Sequence, residues 1–362
     1  MGATVAGGAG RAHSPITIKD VALQAGTSTA TVSRVLNGTG FVSPELRARV
    51  LAAARDLGYS PNAVARSLKQ RSTHIIGVII SDIANPFFGS VVRGIEDVLA
   101  ARQYHPLLCN TDRNADKEAM YVRLFCERRV DGVIISAAGQ RADHLAILRE
   151  QGIPWVFVNR RPPAFGGPAV LTDNRAGAYE ATLHLIDLGH RRIGVVAGPQ
   201  DVNTGIDRLA GYQEAMEARG LAIDPDWVVY GDFREESGYQ GARKLMALPP
   251  ERRITALFVT NNQMTIGVLR ALRELGVRIP DDVALVGFDD SEWARIVDPP
   301  LTTVAQRIYE MGTAAARMLL RAVARTAVPA LNEPGRDILL KPRLIVRASC
   351  GAGRLTVRER GA

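Results

Sequence analysis

Residues 17–37 read TIKDVALQAGTSTATVSRVLN, and the helix boundaries at the N-terminal end of the chain follow from them. Thr17 and Asp20 stand three apart, the capping-box spacing in which a hydroxyl and a carboxylate satisfy the first free N–H groups of a helix. Val21, Ala22 and Ala25 give that helix a short apolar face, and Gly26 ends it. Ser28 caps a second helix over 29–36, which Asn37-Gly38 terminates. Further out, Ser43-Pro44-Glu45 opens a third helix, with proline at the first helical position, where its missing N–H costs little. Val50, Leu51, Ala54 and Leu57 line its inner face, and Gly58 stops it. Three short helices, the first two joined by the tight turn Ala25-Gly26-Thr27, make a helix-turn-helix.

Charge falls unevenly along the 362 residues. Residues 1–71 hold nine Lys or Arg against three Asp or Glu; the rest hold 36 against 34. A basic head on a nearly neutral body is the electrostatic layout of a nucleic-acid binder. At 46% hydrophobic and 23% charged, the whole chain has the composition of an ordinary globular protein large enough for two or three packed units. No apolar run approaches the ~20 residues of a membrane span. The Gly- and Ala-rich residues 1–15 lack the apolar stretch of a secretory signal, so they read as a disordered leader and the expected location is cytoplasmic. Cys109, Cys126 and Cys350 are widely spaced and read as buried thiols.

Beyond residue 73 short apolar strands alternate with amphipathic helices. Strands at 75–80, 106–110, 132–136 and 155–159 are interleaved with helices at 88–102, 115–128 and 142–151. The pattern then restarts, with helices at 175–188, 204–219, 236–247 and 264–275 between strands at 193–197, 227–230, 256–260 and 283–288. Two such series imply an α/β sensor of two doubly wound parallel-sheet lobes, attached to the small all-α headpiece. The expected division is a headpiece at 16–60, a linker at 61–72, a sensor at 73–348 and a tail at 349–362. Within the sensor, 73–172 and 302–335 are assigned to the first lobe, and 173–301 and 336–348 to the second. A final helix at 306–325 returns to the first lobe and the last strands to the second.

Enzyme chemistry finds little purchase. None of His13, His74, His105, His144, His184 and His190 has metal-ligand spacing, and no G-x-S-x-G or other nucleophile–base motif occurs. Neither nucleotide-binding glycine motif follows a strand, so no cofactor is expected. His190, in a polar turn before a strand, reads as structural. A free-standing small-molecule receptor is a third class, one that needs an export signal and no headpiece.

Thr17-Ile-Lys-Asp-Val-Ala22, Thr31-Val-Ser-Arg-Val-Leu-Asn37 and the run Gly58 to Leu68 closely resemble the headpiece of the lac repressor family. The likeness continues through Asn85-Pro-Phe-Phe88, Gly189-His-Arg-Arg-Ile-Gly194, Val286-Gly-Phe-Asp-Asp290 and Leu301-Thr-Thr-Val304, and covers about residues 16–348. It implies a periplasmic-binding-protein-like sensor fused to a DNA-binding headpiece. The second helix would enter the major groove, presenting Thr29, Ala30, Thr31, Ser33 and Arg34 to base edges. Arg34 is the expected guanine contact, because its planar fork matches O6 and N7. Thr17, Asn37 and Tyr59 would hold phosphates. The linker, with Asn62, Ala65, Leu68 and Lys69, would become helical on DNA, and Leu68 would wedge into the minor groove.

The same resemblance places the effector between the lobes. Arg208 and Asp289 match the family's ligand contacts, and Arg160, Phe233, Asn261 and Gln306 match less closely. Phe87 and Phe88 would give a flat apolar wall. The expected partners are a pseudo-palindromic double-stranded operator, a second copy of the chain and a small effector. A sugar or sugar acid is expected in preference to a purine base, because Val202 stands where purine-binding relatives carry an arginine. A purine-responsive regulator of the same architecture is the alternative.

Overall fold

A computed structural model describes residues 16–59, 72–324 and 337–352, and the chain divides into two compact units at Thr73. The first unit holds α1 (Ile18–Gln24), α2 (Thr29–Asn37) and α3 (Pro44–Asp56). The caps are those the sequence specifies. The Thr17 backbone N–H donates to the Asp20 carboxylate at 2.8 Å, and the Ser28 Oγ accepts from the Thr31 N–H at 3.1 Å. Gly38 ends α2 in the left-handed conformation that glycine takes without strain, at φ +65°. Val21, Val32, Val35, Val50 and Ala53 form the small core. Leu51, expected on the inner face of α3, is 41% exposed, and Ala53 fills that place.

The second unit contains two six-stranded sheets. The first lobe is built from β1 (Ile75–Ile80), α4 (Pro86–Ala100), β2 (His105–Asn110), α5 (Ala115–Glu127), β3 (Gly132–Ile135), α6 (Ala146–Glu150), β4 (Trp155–Val158) and β5 (Ala169–Thr172). The second has α7 (Asn174–Asp187), β6 (Ile193–Ala197), α8 (Asn203–Ala218), β7 (Val228–Tyr230), α9 (Glu235–Met246), β8 (Ala256–Val259), α10 (Asn262–Glu274) and β9 (Ala284–Phe288). The chain then adds β10 (Thr302–Ala305), α11 (Ile308–Val323), β11 (Ile338–Leu340) and β12 (Arg343–Ile345). Helix 142–151 of the sequence reading is a 3-10 turn, Asp143–Leu145, followed by the short α6.

Central strands covered on both faces read as unbroken apolar runs. In β1, Ile76, Val78 and Ile80 pack toward α4 and α11, while Ile79 joins Phe125 on the other face. Helices α4 and α11 meet through glycine: a Cβ on Gly94 would lie 2.3 Å from the Tyr309 carbonyl oxygen.

Two assignments of the chain to lobes are corrected. Strand β10, expected in the first lobe, pairs in parallel with β9 of the second (Thr302 opposite Val286). Strand β11, expected in the second, completes the first sheet beside β5 (Ile338 opposite Val170). Helix α11 does return to the first lobe, where Met311, Ala315 and Leu319 enter its core. Among the described residues the chain therefore passes between the lobes three times, at Thr172–Asn174, Ala305–Ile308 and Leu340–Arg343. The sensor also extends past the expected boundary at 348. The Ser349 hydroxyl donates to the Leu285 carbonyl at 2.6 Å and accepts the Thr302 N–H at 2.8 Å, and Cys350 is buried. All three cysteines are free and buried.

Candidate functional site

Within the headpiece, Val32 and Val35 turn one side of α2 into the core, which leaves the opposite side outward. Thr29, Ala30, Arg34 and Asn37 are exposed, as is Thr17 at the start of α1; Thr31, Ser33 and Tyr59 are half-buried. Ala30 and Arg34 are four apart and so share a face. The Ser33 hydroxyl accepts from Asn37 Nδ2 at 3.2 Å, which holds that amide over the end of the helix. Asn62, Ala65, Leu68 and Lys69 lie outside the described residues.

The sensor's site lies where such sheets bind ligands, at the carboxyl ends of parallel strands. Phe87 and Phe88 follow β1, Arg160 follows β4, and Arg208 sits on α8 after β6. Phe233, Asn261, Asp289 and Gln306 follow β7, β8, β9 and β10. These eight, drawn from both lobes, line one small cavity together with Asn85, Asn159 and Thr204. It has room for only about 30 Å³, little more than one water.

Two guanidiniums dominate the electrostatics. Arg208 is 4% exposed; its Nε donates to Asn174 Oδ1 at 2.8 Å and its Nη1 to the Thr260 carbonyl at 2.6 Å, with the group 3.7 Å from the Phe288 ring centre. Burial pushes its pKa down to about 10. Arg160 is 7% exposed and lies 5.3 Å from the Phe233 ring, with Nη1 reaching the Ser81 hydroxyl at 3.4 Å. Burial, reinforced by Arg113 and Arg208, takes it down to about 9. Both remain cations at neutral pH, and both pay for lost hydration that an acceptor-rich ligand restores. Asp289 supplies the carboxylate, with Gln306 Nε2 donating to one oxygen and the Asn262 N–H to the other at 3.4 Å. It does not cap the next helical turn, which Ser291 precedes. Phe87 and Phe88 belong to the first lobe's core as well as to the cavity wall.

Beside this cavity the two lobes touch through a reciprocal amide pair. Asn85 Nδ2 donates to Asn262 Oδ1 at 3.2 Å, and Asn262 Nδ2 donates to Asn85 Oδ1 at 2.9 Å. Sequence reasoning assigned no ligand contact to Asn85, Asn159, Thr204 or Asn262. Asn85 carried a usable signal, since it caps α4 just before a proline at the first helical position.

The family model of bacterial regulatory proteins of the lacI family matches residues 17–62, and that of the periplasmic binding protein-like domain matches 182–350. The HTH-type transcriptional repressor PurR of Photobacterium profundum is 36% identical over 334 residues, covering 92% of this chain and 98% of that protein. This chain belongs to the lacI family. It is a DNA-binding transcriptional regulator with an effector-binding domain, and not an enzyme. Among solved structures, the lac repressor dimer bound to operator and the anti-inducer ONPF has a TM-score of 0.81 at 28% identity, over 93% of this chain and 99% of that one. The transcriptional regulator CelR–cellobiose complex has a TM-score of 0.69 at 34% identity, over 92% and 99%. No helix among the described residues of this lacI-family regulator is long and apolar enough to cross a membrane.

Proposed function

We propose that this regulator is a cytoplasmic repressor that binds a two-fold symmetric operator as a homodimer and is controlled by a sugar or sugar acid held between its lobes. The observation that carries the effector reading is the convergence of Arg160, Arg208, Asn261, Asp289 and Gln306 on one cavity. Guanidiniums, amides and a carboxylate match the mixed acceptors and donors of a polyhydroxylated ring, and two arginines also suit a carboxylate. A relative of known structure, CelR, carries cellobiose. The similarity to PurR favours a purine as the second reading. Against it, Val202 is buried beside the cleft and offers no donor to a purine carbonyl, whose burial unpaired costs about 1–3 kcal/mol.

For DNA, the exposed Arg34 reads a guanine, Thr29 and Ala30 meet methyl or hydroxyl edges, Thr31 and Ser33 flank them, and Thr17, Asn37 and Tyr59 anchor phosphates. Leu68 wedges the minor groove from the linker helix formed by residues around Asn62, Ala65 and Lys69. Paired headpieces on half-sites about one turn apart give protein symmetry a matching operator symmetry. Calorimetry of the full-length protein with monosaccharides, hexonic acids, hypoxanthine and guanine tests the effector. Micromolar binding of a purine base with no carbohydrate response would refute it. Leu68→Ala tests the wedge: operator affinity falls while effector affinity holds, and an unchanged operator affinity removes the wedge.

A further inference from the structure

The cavity that gathers Arg208 and Asp289 is only one chamber of the cleft. Its roughly 30 Å³ is far below the ~300–1,000 Å³ of small-molecule sites. A second, outer chamber of about 260 Å³ adjoins it, with Arg160 in the wall of both. Gln140, Asp201, Asn203 and Ile206 face this outer space. Its rim is firm. The Ala138 N–H donates to Glu118 Oε2 at 2.7 Å, and His144 Nε2 meets the other Glu118 oxygen at 2.7 Å.

Three polar atoms sealed from solvent have no hydrogen-bond partner along this path: Thr204 Oγ1 on the inner side, Arg160 Nε at the boundary and Asn203 Oδ1 on the outer side. Buried groups in folded proteins are seldom left unpaired, so three in succession mark the track of a polar ligand. The ligand's charge is also constrained. Arg161, the other cation of the outer chamber, is committed to Asp337 through contacts of 2.8 and 2.7 Å. In the outer space Arg160, with Arg113 acting on Asp201, offsets Asp201 and Asp207 and leaves no free excess of positive charge for a phosphate or carboxylate, whereas the inner chamber has two arginines to one aspartate.

We infer that the effector is a two-unit carbohydrate, one unit against Arg208 and Asp289 and an uncharged second unit in the outer chamber, with Arg160 Nε and Asn203 Oδ1 bonding near the linkage. The lobes part to admit the inner unit. This rests on the carbohydrate reading above and adds ligand length to it. Calorimetry of the full-length protein compares glucose, galactose, ribose and gluconate with cellobiose, lactose, maltose, gentiobiose and cellobionate. At least one two-unit ligand binds tenfold or more tightly than every monosaccharide. Ile206→Trp, on the exposed flank of α8, fills the outer chamber and collapses that ratio toward one; Asn203→Ala lowers it with less change in volume. Monosaccharides binding as tightly as disaccharides, or a ratio that survives both substitutions, overturns the two-chamber inference and leaves the carbohydrate reading standing. Failure of every carbohydrate to bind overturns both.

Discussion

The amide pair between Asn85 and Asn262 joins the lobes by side chains alone, so its worth is measurable as a coupling free energy. Both residues are buried, at 8% and 3% exposure. Two neutral buried hydrogen bonds contribute about 1 kcal/mol each, and removing one partner strands the other amide at a further cost of about 1–3 kcal/mol. Asn85→Ala also takes away the helix cap that Asn85 Oδ1 makes with the Phe87 N–H at 3.0 Å, worth about 1 kcal/mol. Asn262→Ala frees the Gln263 N–H and Asn261 Nδ2, which the same Oδ1 accepts at 2.8 and 3.0 Å. Each single substitution is therefore expected to cost about 3 kcal/mol. The double substitution loses the shared pair only once, giving a coupling of about 2 kcal/mol. Urea unfolding followed by tryptophan fluorescence measures it, since Trp155 reports the first lobe and Trp227 and Trp293 the second. Single costs that add to the double within about 0.5 kcal/mol would show that the two amides do not act together.

Three further outcomes follow from the geometry. Arg34→Ala weakens operator binding by about 1–3 kcal/mol and relaxes base choice at one position per half-site; equal loss on specific and random DNA in a binding titration reduces Arg34 to a phosphate anchor. Arg208→Lys lowers the stability of the sensor by about 1–3 kcal/mol in urea, because an ammonium cannot span Asn174 Oδ1 and the Thr260 carbonyl as the guanidinium does; an unchanged midpoint contradicts this. Burial holds His184 and His190 below the 6.5 of a free imidazole, so their contribution is intact above pH 6.5 and is lost as pH falls through their lowered values. His190→Gln, at the residue whose Nδ1 lies 3.0 Å from the Thr255 hydroxyl, should flatten that acid limb in thermal melts, and an identical limb rules it out.

Much of the fold was legible because its signals are local. Strands β1 and β6 have the ends that their Ile and Val runs announce, and the caps at Thr17, Ser28 and Ser43 fix three helix starts. The lobe boundaries were not. Strand β5 is four residues and β11 three, too short to carry a period, and β11 belongs to the first sheet only through pairing with a strand more than 160 residues earlier. Nothing local distinguishes that arrangement from one in which the last strands stay together. At the cleft, the six residues taken from the family resemblance and the two phenylalanines read as an apolar wall gather at one cavity, a placement that turns on motif and strand end and not on periodicity. Asn262 was missed for the reason β11 was: its partner is 177 residues away.

Three of the eight left-handed non-glycine residues among the described positions stand at this same place. Asn159, Phe233 and Asp289 occupy the left-handed region at φ +63°, +65° and +80°, which non-glycine residues adopt at a cost of about 1–3 kcal/mol each. All three line the inner chamber, at the ends of β4, β7 and β9. The Phe233 ring is pressed so close to Gly198 that a Cβ there would lie 2.2 Å from it. Each wall is thus set by its own lobe's packing before any ligand arrives. What remains free to change is the relation between walls, since among the described residues three chain crossings and a few side chains bridge them. The Arg160–Phe233 contact, the Asn85–Asn262 pair and Gln306, which accepts from Thr172 and donates to Asp289, are such bridges. An effector shifts the lobe equilibrium only by the difference in its affinity for the two arrangements. In a cleft with preset walls that difference arises where ligand replaces bridge, so substitutions at the bridges should alter coupling to DNA more than substitutions within either wall.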